Sequence, residues 1–350
     1  MLIAVAGRAG AAPPDSALPA EVDDQRRDAV TRLFDRIWSY ATLYENPDNA
    51  VLQKLALSGR FQVDFPVYDS NRGNYDDPQV RRFRVGGKSR WLSDFVLHGE
   101  ADIDFDCDRG EDCDDSEYEG LTDAYLGWDR YEAFRLKLGK VSAPFTLDGS
   151  TSSTRLITPE RNNVSQNLWF PVEYHAGASV DGHVDAWRYR VGAFSSSTKD
   201  EFGTFDGGYF LLFSLAHDLS TRMEVPEFLL SVDYVYNEED EDNVATRDLS
   251  HVLSLSARFD TGTWGVRADL SGGLGYGSQN DLLGLALVPF YCVTRTIQLV
   301  GRYTHLSSNG SDGVRFSRYD DRIDSDRGGQ YDELFAGVNW FVYGLSLIHI

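Results

Sequence analysis

From about residue 52 onward, hydrophobic and polar residues alternate along the chain in segments of about ten residues. In the stretch 55–65, Leu57 and Phe61 fall on one face of an extended strand, whereas Arg60 and Gln62 fall on the other. The same alternation recurs in about fourteen segments, which is the spacing typical of strands that cross a membrane in a β-barrel. The pattern therefore predicts an all-β fold, a transmembrane antiparallel β-barrel.

The N-terminal part of the chain does not follow this alternation. Val30, Leu33 and Ile37 recur at helical spacing, which predicts one helix between residues 24 and 41. The first twelve residues are rich in alanine and have features of the end of a secretory signal, without its basic start. These patterns divide the chain into a leader and linker (1–20), an N-terminal helical segment (21–50) and a β-barrel domain (51–350).

Two kinds of connection alternate between the predicted strands. Some are tight: Gly86-Gly87, Asp129-Arg130, Asp181-Gly182-His183, Thr261-Gly262-Thr263 and Arg295-Thr296. Others are long, polar and acidic: 69–78, 106–119, 237–248 and 307–330. Short turns on one rim and long loops on the other are typical of outer-membrane barrels, although a soluble β-sandwich shows the same alternation of strands.

Charged residues on the polar strand faces favour the barrel over the sandwich. Arg135 and Lys137 share one such face, as do Arg188 and Arg190. Like charges buried without partners in a dry sandwich core would cost several kcal/mol, whereas a barrel lumen leaves them in water. Aromatic residues at the strand ends suit the two membrane interfaces. The alternative class is a secreted, soluble β-sandwich that binds carbohydrate through Trp and Tyr.

The chain is strongly acidic, with 33 Lys and Arg against 55 Asp and Glu and a formal net charge of −22. This balance excludes a nucleic-acid binder, which needs a basic surface to displace phosphate counterions. Two predicted loops, 100–119 and 237–248, hold most of the excess acid. The net charge therefore says little about the lumen wall, whose selectivity should follow its own basic residues.

The candidate site residues on the strands are the basic residues of the polar faces: Arg60, Arg82, Arg84, Arg135, Lys137, Arg188 and Arg190. Rows of Arg and Lys in a pore select anions by their field and by hydrogen bonding. Alternatively, these residues pair with carboxylates on neighbouring strands and only stiffen the wall. General electrostatic shaping of the pore is favoured over a specific phosphate track.

Other motifs predict less chemistry. Cys107 and Cys113 lie in one acidic loop, and a disulfide in an oxidising compartment is favoured over two free thiols or a zinc site. The acidic stretch 102–119 lacks the ligand spacing of an EF-hand, so a solvated loop is favoured over a Ca²⁺ site. There is neither a catalytic motif nor a metal-ligating motif, and we expect no enzyme activity, metal or cofactor.

One stretch carries a family resemblance. It runs Leu-Gly-Lys-Val-Ser-Ala-Pro-Phe-Thr-Leu-Asp over 138–148, continues with Ser-Thr-Ser-Ser over 150–153 and ends with Pro-Glu-Arg over 159–161. This order of motifs resembles the phosphate-selective porin O and P family, and the likeness is clearest over residues 53–195. The resemblance implies a homotrimer of barrels with about sixteen strands each in the bacterial outer membrane. It also implies that anions pass along basic lumen residues.

Residues 140–170 match the constriction loop of that family, which folds into the pore. A connection of about thirty residues is long for a barrel and is typical of a functional loop. Unlike the other long loops it is not acidic, since Lys140, Arg155 and Arg161 balance its carboxylates. We expect the loop to lie in the lumen and add these three basic residues to the anion-binding set.

The end of the chain affects the expected number of strands. Residues 345–350 lack the terminal aromatic residue typical of these barrels, so the C-terminus looks truncated and about 14–15 strands are expected. The expected partners are outer-membrane lipid, small inorganic anions or other small solutes, and further copies of the chain in a trimer.

Overall fold

The computed structural model describes residues 2–6, 24–76, 78–104, 117–170, 173–197, 201–240, 243, 246–323, 325–343 and 346–349. The first elements are β1 (Leu2–Ala6), α1 (Asp24–Ser39), β2 (Thr42–Glu45), β3 (Leu52–Asp64), β4 (Tyr68–Ser70), β5 (Gly73–Tyr75), β6 (Gln79–Trp91), β7 (Phe95–Asp104) and β8 (Glu117–Tyr131). The middle of the chain holds β9 (Phe134–Ser142), α2 (Asn163–Leu168), β10 (Tyr174–Val184), β11 (Trp187–Ser195), a 3₁₀ turn (Phe205–Gly207), β12 (Tyr209–Asp218), α3 (Ser220–Met223) and β13 (Glu227–Asn237). The last elements are β14 (Leu249–Asp260), β15 (Trp264–Gly275), β16 (Leu282–Cys292), β17 (Ile297–Ser308), β18 (Val314–Arg315), α4 (Arg318–Ile323), β19 (Arg327–Gly328), β20 (Gln330–Tyr343) and β21 (Ser346–His349).

The long strands form one antiparallel sheet in which each strand pairs with the next along the chain. This sheet contains β3, β6 to β17 and β20, which are fourteen long strands among the described residues. The pairing leads from β20 to β21, from β21 to β1 and from β1 back to β3. Only three residue pairs join β1 to β21 and four join β1 to β3, whereas ten join β13 to β14.

The all-β prediction is confirmed. The number of long strands, fourteen, agrees with the lower end of the expected range of 14–15. When the two short strands β1 and β21 are included, the ring of paired strands contains sixteen strands within the described residues. The sequence analysis did not predict a strand in the segment 1–20, where Leu2–Ala6 forms β1. Among the described residues, no helix is long and apolar enough to span a membrane.

The apolar side chains of the wall point outward. On β14, Leu255 is 44% exposed while its neighbour Ser254 is 1% exposed. The same contrast recurs on β12, where Phe213 and Leu215 are exposed and Leu212 is buried. An outward apolar face is what lipid requires. The sandwich alternative is therefore wrong, because a sandwich buries its apolar faces between two sheets.

Tryptophan residues mark one interface of the barrel. Short connections form one rim, here called the turn rim: 92–94, 132–133, 185–186, 219–226, 261–263 and 293–296. Trp91, Trp128, Trp187 and Trp264 lie within four residues of such a connection. Aromatic girdles at this level are typical of transmembrane barrels. The longer connections lie at the opposite rim, here called the loop rim.

Three of the predicted tight turns are wrong by several residues. Gly86-Gly87 lies inside β6, Asp181-Gly182-His183 lies inside β10, and Asp129-Arg130 belongs to the end of β8. Gly86 serves a close approach between strands, because a Cβ there would lie 2.2 Å from the Gly99 carbonyl oxygen. Glycine in a strand has this second meaning besides a turn.

Candidate pore constriction

Residues 143–170, here called the inward loop, lie inside the barrel. Their apolar side chains Phe145, Val164, Leu168 and Phe170 are almost completely buried. They pack against inward-facing wall residues: Phe194, Phe210, Leu212, Val235, Leu249, Val252, Leu282 and Leu306. α2, which belongs to the loop, contacts β15, β16 and β17. An apolar core thus fills one side of the lumen.

Two charged wall residues hold the inward loop by the backbone of Leu147. The Leu147 N–H donates to the carboxylate of Asp269 on β15 at 3.0 Å. The guanidinium of Arg258 on β14 donates to the Leu147 carbonyl oxygen at 3.1 Å and to Thr151 Oγ1 at 2.8 Å. Hydrogen bonds with one charged member are roughly twice as strong as neutral ones. These contacts fix the position of the loop on the wall.

The inward loop is also cross-linked within itself. Asp148 Oδ2 accepts hydrogen bonds from the backbone N–H of Asn162 at 2.8 Å and from its Nδ2 at 2.7 Å. Asn162 in turn caps α2 by accepting the Ser165 N–H at 2.9 Å. Arg161 Nε donates to the Asp148 carbonyl oxygen at 3.0 Å. The loop therefore presents Arg161 from a stiff backbone.

A β-bulge in β6 directs two consecutive arginines into the lumen. In the register with β3, Gln62 pairs with Arg82 and Val63 with Val80, so Arg81 is the extra residue. Arg81 Nε lies 2.8 Å from Glu160 Oε1 on the inward loop. Burial alone would raise the pKa of Glu160, but the Arg81 guanidinium outweighs it and lowers the pKa to about 2. Glu160 therefore stays ionised at neutral pH.

Arg60, Arg82, Arg84, Arg161 and Glu173 form what we call the constriction cluster. Arg60 on β3 lies directly opposite Arg84 on β6, an arrangement of like charges that is unfavourable without counter-ions. Arg84 Nε pairs with Asp102 on β7 at 2.8 Å. Glu173 lies 3.9 Å from Arg84 Nη2 and 3.7 Å from Arg161 Nη2.

Two arginines of this cluster have no carboxylate at ion-pair distance among the described residues. Arg82 Nη1 donates to the amide oxygen of Gln62 at 2.7 Å, and Arg60 donates to the hydroxyl of Ser153 on the inward loop. A neutral acceptor does not cancel the positive charge, which is only partly compensated by carboxylates further away. The cluster can therefore attract anions at the level of the inward loop.

Three more of the expected residues, Arg135, Arg188 and Arg190, line a cavity of about 820 Å³ at the turn rim. Arg135 pairs with Asp181, which also lies 3.8 Å from Lys137 Nζ. Arg188 pairs with Asp218. Most of this group therefore fits the alternative interpretation, in which basic residues pair with carboxylates on neighbouring strands and stiffen the wall.

The last two expected residues lie apart from both groups. Lys140 Nζ pairs with Glu201 at 2.9 Å, so it joins β9 to the connection 196–208. Arg155 is exposed, and its carbonyl oxygen accepts a hydrogen bond from Arg267 on β15 at 3.3 Å. The structure therefore brings together four of the ten expected basic residues in the constriction cluster.

Alternation along the strands does not identify two residues that matter here. Arg81 has the wrong parity for the lumen, and only the bulge turns it inward. Glu173 follows the inward loop immediately before β10, where strand periodicity gives no prediction. Its position depends on contacts with Arg84 and Arg161, which are distant in sequence and leave no local signal.

No group of three or more His, Cys, Asp or Glu residues in the described ranges is arranged to hold a metal ion. Cys107, Cys113 and most of the acidic stretch 102–119 lie outside the described residues. Cys292 is a free, half-buried cysteine that packs beside Val288, Phe290 and Val300. The disulfide therefore stays a prediction.

Comparison with known proteins agrees with this geometry. Residues 55–211 match the model of the family described as phosphate-selective porin O and P. This part of the chain is similar to that family. The match covers β3 to the start of β12 and includes the whole inward loop, so the resemblance drawn from the sequence motifs is confirmed. None of the curated protein sequences matches the chain.

Solved structures show the same fold. The Salmonella typhi OmpF structure, a complex with daunomycin, is 14% identical with a TM-score of 0.55, covering 86% of this chain and 88% of that one. An anion-selective porin from Comamonas acidovorans is 11% identical with a TM-score of 0.53, covering 81% of this chain and 83% of that one. Together with the family match, these likenesses place the porin in the bacterial outer membrane.

Proposed function

We propose that this protein is a passive channel through which small charged solutes cross the outer membrane, with a preference for anions and no catalytic step. The observation that carries the proposal is the position of Arg60 and Arg82. Both belong to the constriction cluster beside the inward loop, and both have only neutral hydrogen-bond acceptors among the described residues. An only partly compensated positive field at the narrow part of a water-filled pore favours anions.

The experiment is incorporation of the detergent-purified protein into planar lipid bilayers. Conductance should rise in discrete steps as single channels insert. In a KCl gradient the current should reverse at the potential expected for preferred chloride. A protein that never conducts, or that is soluble without detergent, contradicts the proposal.

We propose that the preference depends on anion charge and not on a phosphate-specific site. The support is that each cluster arginine donates at least one hydrogen bond to a protein acceptor: Arg84 to Asp102, Arg161 to the inward loop, Arg82 to Gln62 and Arg60 to Ser153. Chloride and phosphate should both permeate, and the phosphate current should saturate only at high concentration. Tight, saturable block of chloride current by phosphate would contradict this view.

We also propose that the channel is a homotrimer, as the family resemblance implies. The measurement is the protein mass of the detergent-solubilised particle by light scattering. A trimer should have about three times the chain mass of 39.3 kDa after correction for bound detergent. A particle of one chain's mass would contradict the trimer and leave the single-channel proposal standing.

A further inference from the structure

Glu173 occupies the position in the constriction cluster where a bound anion would lie. Its carboxylate approaches two guanidinium groups, Arg161 at 3.7 Å and Arg84 at 3.9 Å. Both distances are too long for hydrogen bonds. The charges of Arg82 and Arg60 also act on this carboxylate. Glu173 is therefore held by charge and not by fixed donor–acceptor contacts.

Donors remain available around this carboxylate. Arg161 Nη2 and Arg60 Nε are buried, and neither has a hydrogen-bond partner among the described residues. Buried N–H groups without acceptors are costly, so an oxyanion that reached them would be bound favourably. The cluster thus offers hydrogen bonds that Glu173 does not use.

The electrostatics agree with this geometry. Burial alone would raise the pKa of Glu173, but the surrounding arginines outweigh it and lower that pKa below its ordinary value. The carboxylate is therefore charged at neutral pH and competes with any anion that enters the cluster. A channel needs binding that is favourable enough for entry and weak enough for exit.

We propose that Glu173 is a built-in counter-ion, a specificity-determining residue that limits how tightly the constriction cluster retains a permeating oxyanion such as phosphate. The inference rests on the proposed function, since it concerns the same pore. Without this carboxylate, the net charge of the cluster rises by one positive unit. Asp102 still pairs with Arg84. Divalent oxyanions should respond more than chloride, because their attraction to the cluster scales with their charge.

The side chain can be changed without removing the local backbone anchor. The Glu173 carbonyl oxygen accepts a hydrogen bond from the Ala143 N–H at 3.2 Å. This contact joins the start of the inward loop to the residue just before β10. Glu173→Gln keeps this contact and the side-chain size while it removes the charge. Glu173→Asp keeps the charge on a shorter side chain.

The experiment compares the wild type with Glu173→Gln, Glu173→Asp and Glu132→Gln in planar bilayers. Glu132 lies at the turn rim with a side chain 87% exposed, so its substitution gives the same change in net charge away from the cluster. Currents are recorded in potassium phosphate over a range of concentrations and in a KCl gradient.

For Glu173→Gln, the phosphate concentration at half-saturation should fall by about threefold to tenfold, the scale of one partly screened charge at about 4 Å. The anion-to-cation permeability ratio should rise, whereas Glu173→Asp and Glu132→Gln should behave like the wild type. Equal changes in Glu173→Gln and Glu173→Asp would show a distorted loop and overturn the inference, as would no change in Glu173→Gln. A wild type that does not conduct or prefers cations would instead overturn the proposed function.

Discussion

Arg81 on β6 and Glu160 on the inward loop form an ion pair of 2.8 Å inside the barrel, with side chains only 17% and 13% exposed. A second wall strand reaches the same loop residue, because Arg302 on β17 donates to the Glu160 carbonyl oxygen at 2.7 Å. Asn339 on β20 donates to the Ile157 carbonyl oxygen at 2.8 Å. The part of the loop around residues 157–160 is thereby attached to three strands, which sets how far it projects into the pore.

Replacing Glu160 with Gln should loosen this attachment. The substitution leaves the buried Arg81 charge without its partner, and breaking a buried ion pair typically costs about 3–5 kcal/mol. We expect single-channel currents of Glu160→Gln to be noisier, with more frequent partial closures. Glu45→Gln is the matched control, because it breaks the exposed Lys54–Glu45 pair of similar length and should leave the current unchanged.

The same ion pair predicts a pH dependence. The pKa of Glu160 in the folded protein is lowered to about 2 from an ordinary value of 4.5. A lowered pKa means that the stabilisation is fully present above about pH 4.5 and is lost as pH falls toward 2. Wild-type currents should be quiet from pH 7 to 5 and noisy below about pH 3. Glu160→Gln should show no such transition, and noise that begins near pH 6 would argue against this assignment.

The sequence was sufficient for the wall but not for every feature of the lumen. Alternation identified the outward Leu57 and the inward Arg60 because each strand meets lipid on one face and water on the other. Gly86 was misplaced because glycine permits both a turn and a close approach of strands. Arg81 was missed because a bulge shifts the parity of one residue, which no periodic pattern contains.

The inward loop shows a similar division. Its length and charge indicated a loop in the lumen, yet its contacts could not be derived from spacing. Asp269 and Arg258 form hydrogen bonds with the backbone of Leu147, and a backbone contact leaves no signature in the pattern of side chains. The role of Glu173 can be inferred only from the structure, which places Arg84 and Arg161 beside its carboxylate.

The direction of the wall can be tested with two neighbouring residues of β14. Leu255 is exposed on the outer face, and Ser256 follows it on the inner face. Leu255→Arg should destabilise the barrel in lipid by about 2–4 kcal/mol, because it places a charge against the bilayer core. Ser256→Arg should cost much less, since it adds a charge to the water-filled side. Urea titration of tryptophan fluorescence in vesicles measures both, and equal losses would mean that the faces are wrongly assigned.

The predicted disulfide between Cys107 and Cys113 implies a chemical difference among the three cysteines. In denatured, unreduced protein, alkylation should label Cys292 alone, because Cys292 is free. After reduction, all three should be labelled. Peptide mass spectrometry distinguishes the two states, and labelling of Cys107 and Cys113 before reduction would exclude the bridge.

The reversal potential in a KCl gradient tests the central claim most directly, namely that arginines without an ion-paired carboxylate in the constriction cluster make the pore prefer anions. The wild type should reverse toward the chloride potential, and the double variant Arg60→Gln with Arg82→Gln should reverse nearer to zero. Arg295→Gln, an exposed change at the turn rim, should leave the wild-type value. A wild type that reverses toward the potassium potential, or a double variant identical to it, would contradict the claim.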